Sequence, residues 1–292
     1  MKYSSILQLS FIFFIGYLES ISGQIKGVIL DSSSLEIVPY ANIWIQKSDF
    51  GVNSDKNGRF ILPQRPSGSS VLFSALGYVS KEIQYGLVND TVWLNPKIIE
   101  LNEVVVKLNI ERRKRKVVEK IKRSKVGHYL PGFSSPYTRM YAKYFEYKEG
   151  YNKTPFLNKI RVVSRTDLQH APFNIKLLAV GRDGKPSTYI YEENIIGVAE
   201  SGKKLTKIDI SNLQIPFPEK GFFIAVEWLL VRGNQSYYNS FHPEIGFTQE
   251  STDLNGWEYK NGSWSKTSPY IGEVKSFKDK FKLLAVEVVL SN

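Results

Sequence analysis

Cysteine is absent from all 292 residues. That excludes disulfides, thiolate metal sites, a Cys nucleophile and a lipid-modified N-terminal Cys. Histidine is scarce: the chain has three, His128, His170 and His242, and no His-x-x-Glu among them. A zinc hydrolase needs two His and a carboxylate converging on the metal, with a further Glu as base, and this sequence has no such set. It also lacks Gly-x-Ser-x-Gly, His-Glu-x-x-His, a phosphate-binding Gly loop and a dinucleotide fingerprint. Beyond the N-terminus no run is long and apolar enough for a spanning helix, which takes about 20 residues. These absences predict no metal and no cofactor, and favour binding or scaffolding over an enzyme.

The sequence opens on Lys2, an apolar run of about 13 residues from Ile6 to Leu18, and small polar residues from Glu19 to Gly23. That order predicts a secretory signal peptide over residues 1–23, cleaved after Ser22 or Gly23. The run is too short to span a bilayer. The expectation is an exported protein of the periplasm, outer membrane or cell surface, with no transmembrane span in the mature chain.

The remaining length suits two domains of ordinary size. Aromatics reach 13 %, including 17 Tyr and 17 Phe, which favours half-buried strands and an all-β class. Strands are predicted at 25–30, 40–47, 58–63, 70–76, 79–85, 90–94 and 103–107, bounded by turn residues. In the second, Ala41, Ile43 and Ile45 alternate with Asn42, Trp44 and Gln46, so the aliphatic face points inward. Asp55-Lys56-Asn57-Gly58 reads as a turn with Gly where a positive φ is needed. Asn53 to Gly58 also mimics the opening of a calcium loop, but Asn holds its first position and Gln64 its twelfth, where a bidentate Glu is required. A plain turn is the expected outcome.

Five blocks occur in order: Gly27-Val28-Ile29-Leu30-Asp31, Pro39-Tyr40-Ala41-Asn42-Ile43, Ser54-Asp55-Lys56-Asn57-Gly58-Arg59-Phe60, Phe73-Ser74-Ala75-Leu76-Gly77-Tyr78 and Leu101-Asn102-Glu103-Val104-Val105-Val106. Together they resemble the carboxypeptidase regulatory-like domain of Bacteroidetes envelope proteins. The resemblance implies a seven-stranded Greek-key sandwich of the transthyretin-like kind over residues 24–107, an accessory domain without the peptidase. Tyr40 stands where that family often has Gly or another small residue.

Residues Lys107 to Lys125 hold ten Lys or Arg against two Glu, a net +8 of the chain's +11. As a helix, the segment would place Ile110, Val117, Val118 and Ile121 on a narrow apolar stripe. Glu111/Arg115 and Glu119/Arg123 would be favourable i, i+4 pairs, and Gly127 a C-terminal cap before Pro131. The prediction is a basic helical linker at 108–135, about four turns and roughly 24 Å of helix. Its charge lacks the groove-reading or stacking groups of nucleic-acid binders, so no nucleic acid is expected. Arg112, Arg113, Lys114, Arg115 and Lys116 are candidates for an anionic envelope surface; a solvated spacer is the competing reading.

Residues 136–292 return to strands, with Phe222 to Val231 reading as a central strand and Leu283 to Leu290 as another. Phe173-Asn174-Ile175, Gly184-Lys185-Pro186, Ile208-Asp209-Ile210-Ser211 and Phe222 to Trp228 resemble, more loosely, a jelly-roll-like domain that follows the regulatory domain in some Bacteroidetes proteins. Tyr237, Tyr238, His242, Trp257, Tyr259 and Trp264 are candidate ligand-binding residues, because aromatic faces beside Ser and Asn suit sugars or adaptable recognition. The rings would equally serve to close the end of a sandwich. Glu227 and Glu287 would suit glycoside hydrolysis only if they converged to about 5–9.5 Å. The architecture expected is two all-β sandwiches joined by a basic helix. The functional expectation is a non-catalytic envelope protein that binds a protein partner or a glycan.

Overall fold

The computed structural model describes residues 24–46, 48, 50–63, 69–97, 114–133, 140–236, 240–250, 256–260, 263–269 and 280–292. The expected signal peptide, the strand expected at 103–107 and residues 107–113 of the basic stretch lie outside these. Among the described residues every regular element is a strand or a single 3-10 turn.

Among its described residues the first domain has seven strands: β1 (Ile25–Asp31), β2 (Asn42–Ile45), β3 (Gly51–Asn53), β4 (Arg59–Leu62), β5 (Ser70–Ser74), β6 (Lys81–Gln84) and β7 (Thr91–Leu94). They form a three-stranded sheet β4-β1-β7 and a four-stranded sheet β3-β2-β5-β6. Ile29, Phe60 and Leu94 of one meet Ile43, Ile45 and Phe73 of the other in a single core. The alternation in β2 works as expected, with Ile43 and Ile45 buried and Trp44 on the opposite face.

The Asp55 turn is a plain turn. Asp55 Oδ1 accepts the N–H groups of Asn57 (2.8 Å) and Arg59 (2.9 Å), and Gly58 adopts φ +71°. Asn53 Oδ1 accepts the Leu230 N–H (2.8 Å), and Ser54 Oγ accepts the Ala41 N–H and donates to the Val38 carbonyl. Tyr40 has φ +57°, the left-handed conformation that glycine adopts most easily. The short strand β3 falls between two predicted strands and was not anticipated, because three residues carry too little periodicity to register.

The second domain has fourteen strands in two seven-stranded sheets. In chain order they are β8 (Arg115–Val118), β9 (Val126–Phe133), β10 (Met140–Phe145), β11 (Phe156–Thr166), β12 (Ala171–Val180), β13 (Pro186–Tyr189), β14 (Ile195–Ala199), β15 (Gly202–Asp209), β16 (Phe222–Trp228), β17 (Ser240–Glu250), β18 (Gly256–Lys260), β19 (Ser263–Lys266), β20 (Phe281–Leu284) and β21 (Val286–Ser291). The front sheet runs β13-β12-β16-β10-β18-β19 with β14 beside β12. The back sheet runs β20-β17-β11-β21-β8, with β15 on β11 and β9 on β17. Phe145, Phe173 and Phe222 of the front sheet pack against Ile160, Phe247 and Val288 of the back sheet. The expected central strand is β16, lying between β12 and β10 with all seven residues buried. The run from 281 to 290 is two strands: Ala285 interrupts it, β20 pairs β17, and β21 pairs β11 and β8.

Among the described residues the basic helical connector is not formed. Arg115 to Val118 are β8, antiparallel to β21 with Val118 opposite Val288. Residues Arg123–Lys125 are a 3-10 turn, and Gly127, the expected cap, lies inside β9. Two causes favour the strand. Val117 and Val118 are β-branched and pack well on a pleated surface, and β21 offers main-chain partners that local periodicity does not reveal. In β8 the cations Arg115 and Lys116 also take opposite faces, which separates their charges. Glu119 then turns the chain at φ +54°.

A buried polar network joins the two domains. On β16, Glu227 lies opposite Asn174 of β12 and Met140 of β10, on the outer face of the front sheet. Glu227 is only 3 % exposed and pairs with Lys176 (Nζ to Oε2, 3.3 Å). Asn174 Nδ2 donates to the same carboxylate (3.2 Å) and to Asn194 Oδ1 (2.7 Å). From the first domain, Asn42 Nδ2 donates to Glu227 Oε1 (3.4 Å), and Asn53 Nδ2 donates to Asn42 Oδ1 (2.7 Å). Asn194 Nδ2 returns to the Pro39 carbonyl (3.3 Å). Two charges are thus taken out of water under donors drawn from both domains.

Two stability measurements check this account. In urea unfolding, Val118→Ala costs about 2 kcal/mol, from lost burial plus a residual cavity, while Val117→Ala, at a 39 % exposed site, stays within about 0.5 kcal/mol; equal effects would contradict the edge strand. Glu227→Ala leaves Lys176 buried without its counter-ion and costs about 3–5 kcal/mol. The double variant Lys176→Met/Glu227→Met recovers most of that loss, and a Glu227→Ala cost below about 1 kcal/mol would show that the network carries little.

Candidate binding site

The seam between the domains holds a groove of about 690 Å³. One wall is built by β3, β4 and the Asp55 turn that joins them; the other is the exit of β16 from Leu230 to Arg232, with Gln235 and Phe241. The walls are tied at the bottom. The Leu230 N–H donates to Asn53 Oδ1 (2.8 Å) and the Asn53 N–H to the Leu230 carbonyl (3.3 Å). Asn234 Nδ2 holds the 3-10 turn at Arg232–Asn234 through the carbonyls of Pro172 (2.7 Å) and Leu229 (3.0 Å).

The groove's chemistry is mixed. Phe50, Ile61 and Phe241 offer apolar surface, while Lys26, Arg59 and Arg232 bring three cations. Asp55 is the one carboxylate in the lining, and its Oδ1 is engaged by the turn. A narrow apolar recess runs deeper into the seam beside Trp44, Trp228 and Gly132. A Cβ on Gly132 would come within 2.7 Å of Trp228, so only glycine lets β9 approach that ring.

The sequence-predicted ligand residues are divided by the fold. Tyr237 and Tyr238 lie outside the described residues. His242 stands on β17 in the back sheet, with Nε2 2.8 Å from Asp167 Oδ1, ahead of the cis His242–Pro243 bond. Trp257, Tyr259 and Trp264 do come together, on the outer face of the front sheet with Met140, Leu178 and Phe223. Trp257 is buried, its ring 6.0 Å from Phe223 with the Lys266 ammonium 5.0 Å above it. Tyr259 and Trp264 are half-buried and 5.1 Å apart.

Of the candidate surface cations, Arg112 and Arg113 lie outside the described residues. Lys114, Arg115 and Lys116 are exposed along the β8 edge. The Lys114 N–H donates to Asn292 Oδ1 (2.7 Å), and the Lys116 ammonium lies 4.7 Å from the Tyr151 ring.

The two carboxylates do not converge. Val226 and Trp228 face the core from β16, as Val286 and Val288 do from β21. Glu227 and Glu287 therefore sit on the outer faces of opposite sheets, whose backbones alone are about 10 Å apart. Each is engaged elsewhere: Glu227 by Lys176, and Glu287 by Arg161 Nη1 (2.8 Å) and the Ile121 N–H (2.8 Å). That arrangement does not fit the proposed acid/base pair.

Sequence reasoning missed the asparagines Asn42, Asn53, Asn174 and Asn194, and the buried lysines Lys143 and Lys176. A signal existed for the lysines. Each interrupts an otherwise apolar strand, Tyr141-Ala142-Lys143-Tyr144-Phe145 and Ile175-Lys176-Leu177-Leu178.

No curated protein matches the chain. Among solved structures, one similar chain contains the cysteine protease and lectin-like domains of Cwp84, a surface layer associated protein of Clostridium difficile, at 11 % identity and a TM-score of 0.38. The alignment covers 79 % of this chain and spans about half of that one, 47 %. Residues 25–106 match the family model of the CarboxypepD_reg-like domain. The seven described strands of the first domain, from Ile25 to Leu94, fall within that match, so the chain carries a domain similar to the carboxypeptidase regulatory-like family.

Proposed function

We propose that this is an exported, non-catalytic envelope protein that holds an extended segment of a protein partner in the groove between its sandwiches. The groove carries the proposal. Its volume lies in the usual range for specific sites, and domain seams are where such sites concentrate. Phe50, Ile61 and Phe241 suit apolar side chains of the partner, while Lys26, Arg59 and Arg232 suit acidic ones. Cations at such a surface raise encounter rates and reject partners of the wrong charge. Placement in the periplasm or at the outer membrane follows from the signal-peptide reading of residues 1–23.

A second reading takes a glycan on the Tyr259 and Trp264 rings. It is favoured by their joint placement, half-exposed beside Trp257 on one sheet face. The exposed β8 cations Lys114, Arg115 and Lys116 would add attraction to an anionic envelope surface in either case, worth about 1 kcal/mol each at low salt.

Site-specific photocrosslinking in intact cells separates the readings. A probe at Ile61 or Gln235 is expected to capture a defined protein band that a probe at Val198 does not, and Arg59→Glu/Arg232→Glu is expected to reduce the yield by about tenfold. Equal capture from Val198, or capture indifferent to both charge reversals, would remove the groove reading. Glycan-array binding lost in Tyr259→Ala/Trp264→Ala, with no groove crosslink, would favour the second.

A further inference from the structure

A lysine stands in the interior of the second sandwich. β10 turns Tyr141, Lys143 and Phe145 to the same face, and both aromatic neighbours belong to the main core. Lys143 is itself only 7 % exposed. Among the described residues its ammonium has two polar partners, both long, the Val286 carbonyl at 3.3 Å and Glu119 Oε2 at 3.5 Å, and it lies 5.3 Å from the Phe145 ring. The Glu119 side chain is half solvent-exposed and so a weak counter-ion. Burial pushes the Lys143 ammonium below its ordinary pKa, and the carboxylates of Glu119, Glu250 and Glu287 offset this only in part. A buried charge normally demands close, complete pairing, and Lys143 lacks it.

Beside Lys143 opens a cavity of about 340 Å³, separate from the groove and sharing none of its residues. Lys120, Lys122 and Lys125 line it together with Lys143, against Glu119 and Glu250. Lys125 is engaged by Glu250 at 2.9 Å, and among the described residues Lys120 and Lys122 form no ion pair. The wall they occupy is held in place from the back sheet, because the Ile121 N–H donates to Glu287 Oε2. The cavity is thus lined by one buried ammonium, Lys143, by the exposed Lys120 and Lys122, and by Thr248 and Tyr144, with Glu119 and Glu250 opposite.

We propose that this cavity binds a phosphate-type oxyanion carried on a small polar body, with the oxyanion on Lys143 and its approach guided by Lys120 and Lys122. The volume exceeds what a bare ion fills, a water taking about 30 Å³, and reaches the lower end of small-molecule sites. An anion there supplies the close counter-charge that Glu119 does not.

The test is calorimetric titration of the full chain at low ionic strength with inorganic phosphate and with glucose 6-phosphate. Saturable binding is expected, stronger for the sugar phosphate, and weakened by about tenfold or more in Lys143→Met. Lys120→Gln/Lys122→Gln should weaken it less, and Lys114→Gln/Lys116→Gln should leave it unchanged. Vesicles containing phosphatidylglycerol distinguish the source: Lys143-dependent binding to vesicles with none to the soluble ester assigns a lipid headgroup. Lys143→Met removes a buried charge at similar volume and is expected to melt no lower than the parent; if it does not fold, Lys120→Gln/Lys122→Gln decides alone. No saturable binding to any probe, binding retained in Lys143→Met, or equal loss in Lys114→Gln/Lys116→Gln would overturn the site.

Discussion

The contact on which the molecule depends is the buried ion pair between Lys176 and Glu227. Each ion loses several kcal/mol of hydration on burial, and the pair recovers this only if the remaining acceptor and donor sites are filled. Asn174 fills one from the same sheet, while Asn42 fills another from the first domain. Asn53 and Asn194 extend the network to Leu230 and Pro39. The first domain therefore completes the pairing that the front sheet begins for its own buried charge. The same bonds hold the two walls of the groove in fixed relation, so the proposed site is organised before any partner arrives.

Charge elsewhere in the chain does a different job. The densest basic stretch ends as the outermost strand of the back sheet, with Lys114, Arg115 and Lys116 along an edge. Cations on an edge strand discourage pairing with another chain. The same stretch then runs past the cavity beside Lys143, so its later lysines Lys120, Lys122 and Lys125 line that cavity while its earlier ones stand along the sheet edge. One run of like charge serves an edge and a pocket because the chain turns at Glu119.

Local pattern was enough for several elements and not for others. The Asp55 turn needs only a short-range carboxylate and a glycine, and it formed where the residues indicated. The seven-residue strand β16 is apolar on both faces and announced its central place. The stretch at 107–125 misled because its helix signals were all local, whereas the β21 edge that captures Val117 and Val118 comes about 170 residues later. Ala285 broke a run that read as one strand, since two different partners claim its halves. Among candidate residues, Trp257, Tyr259 and Trp264 are brought to one face by the β18–β19 pairing, and His242 is carried to the other sheet.

The sequence by itself determined the class and the chemistry that is missing. Strand periodicity, turn residues, five family blocks and the lack of Cys and of clustered His are properties of the chain alone, and no folding event alters them. Only the tertiary structure decided where the charges went. Glu227, Lys176 and Lys143 look in the sequence like single polar interruptions of apolar strands. Whether such a residue meets water, a counter-ion from another domain or a cavity depends on which distant strands close over it, and that is a property of pairing rather than of composition.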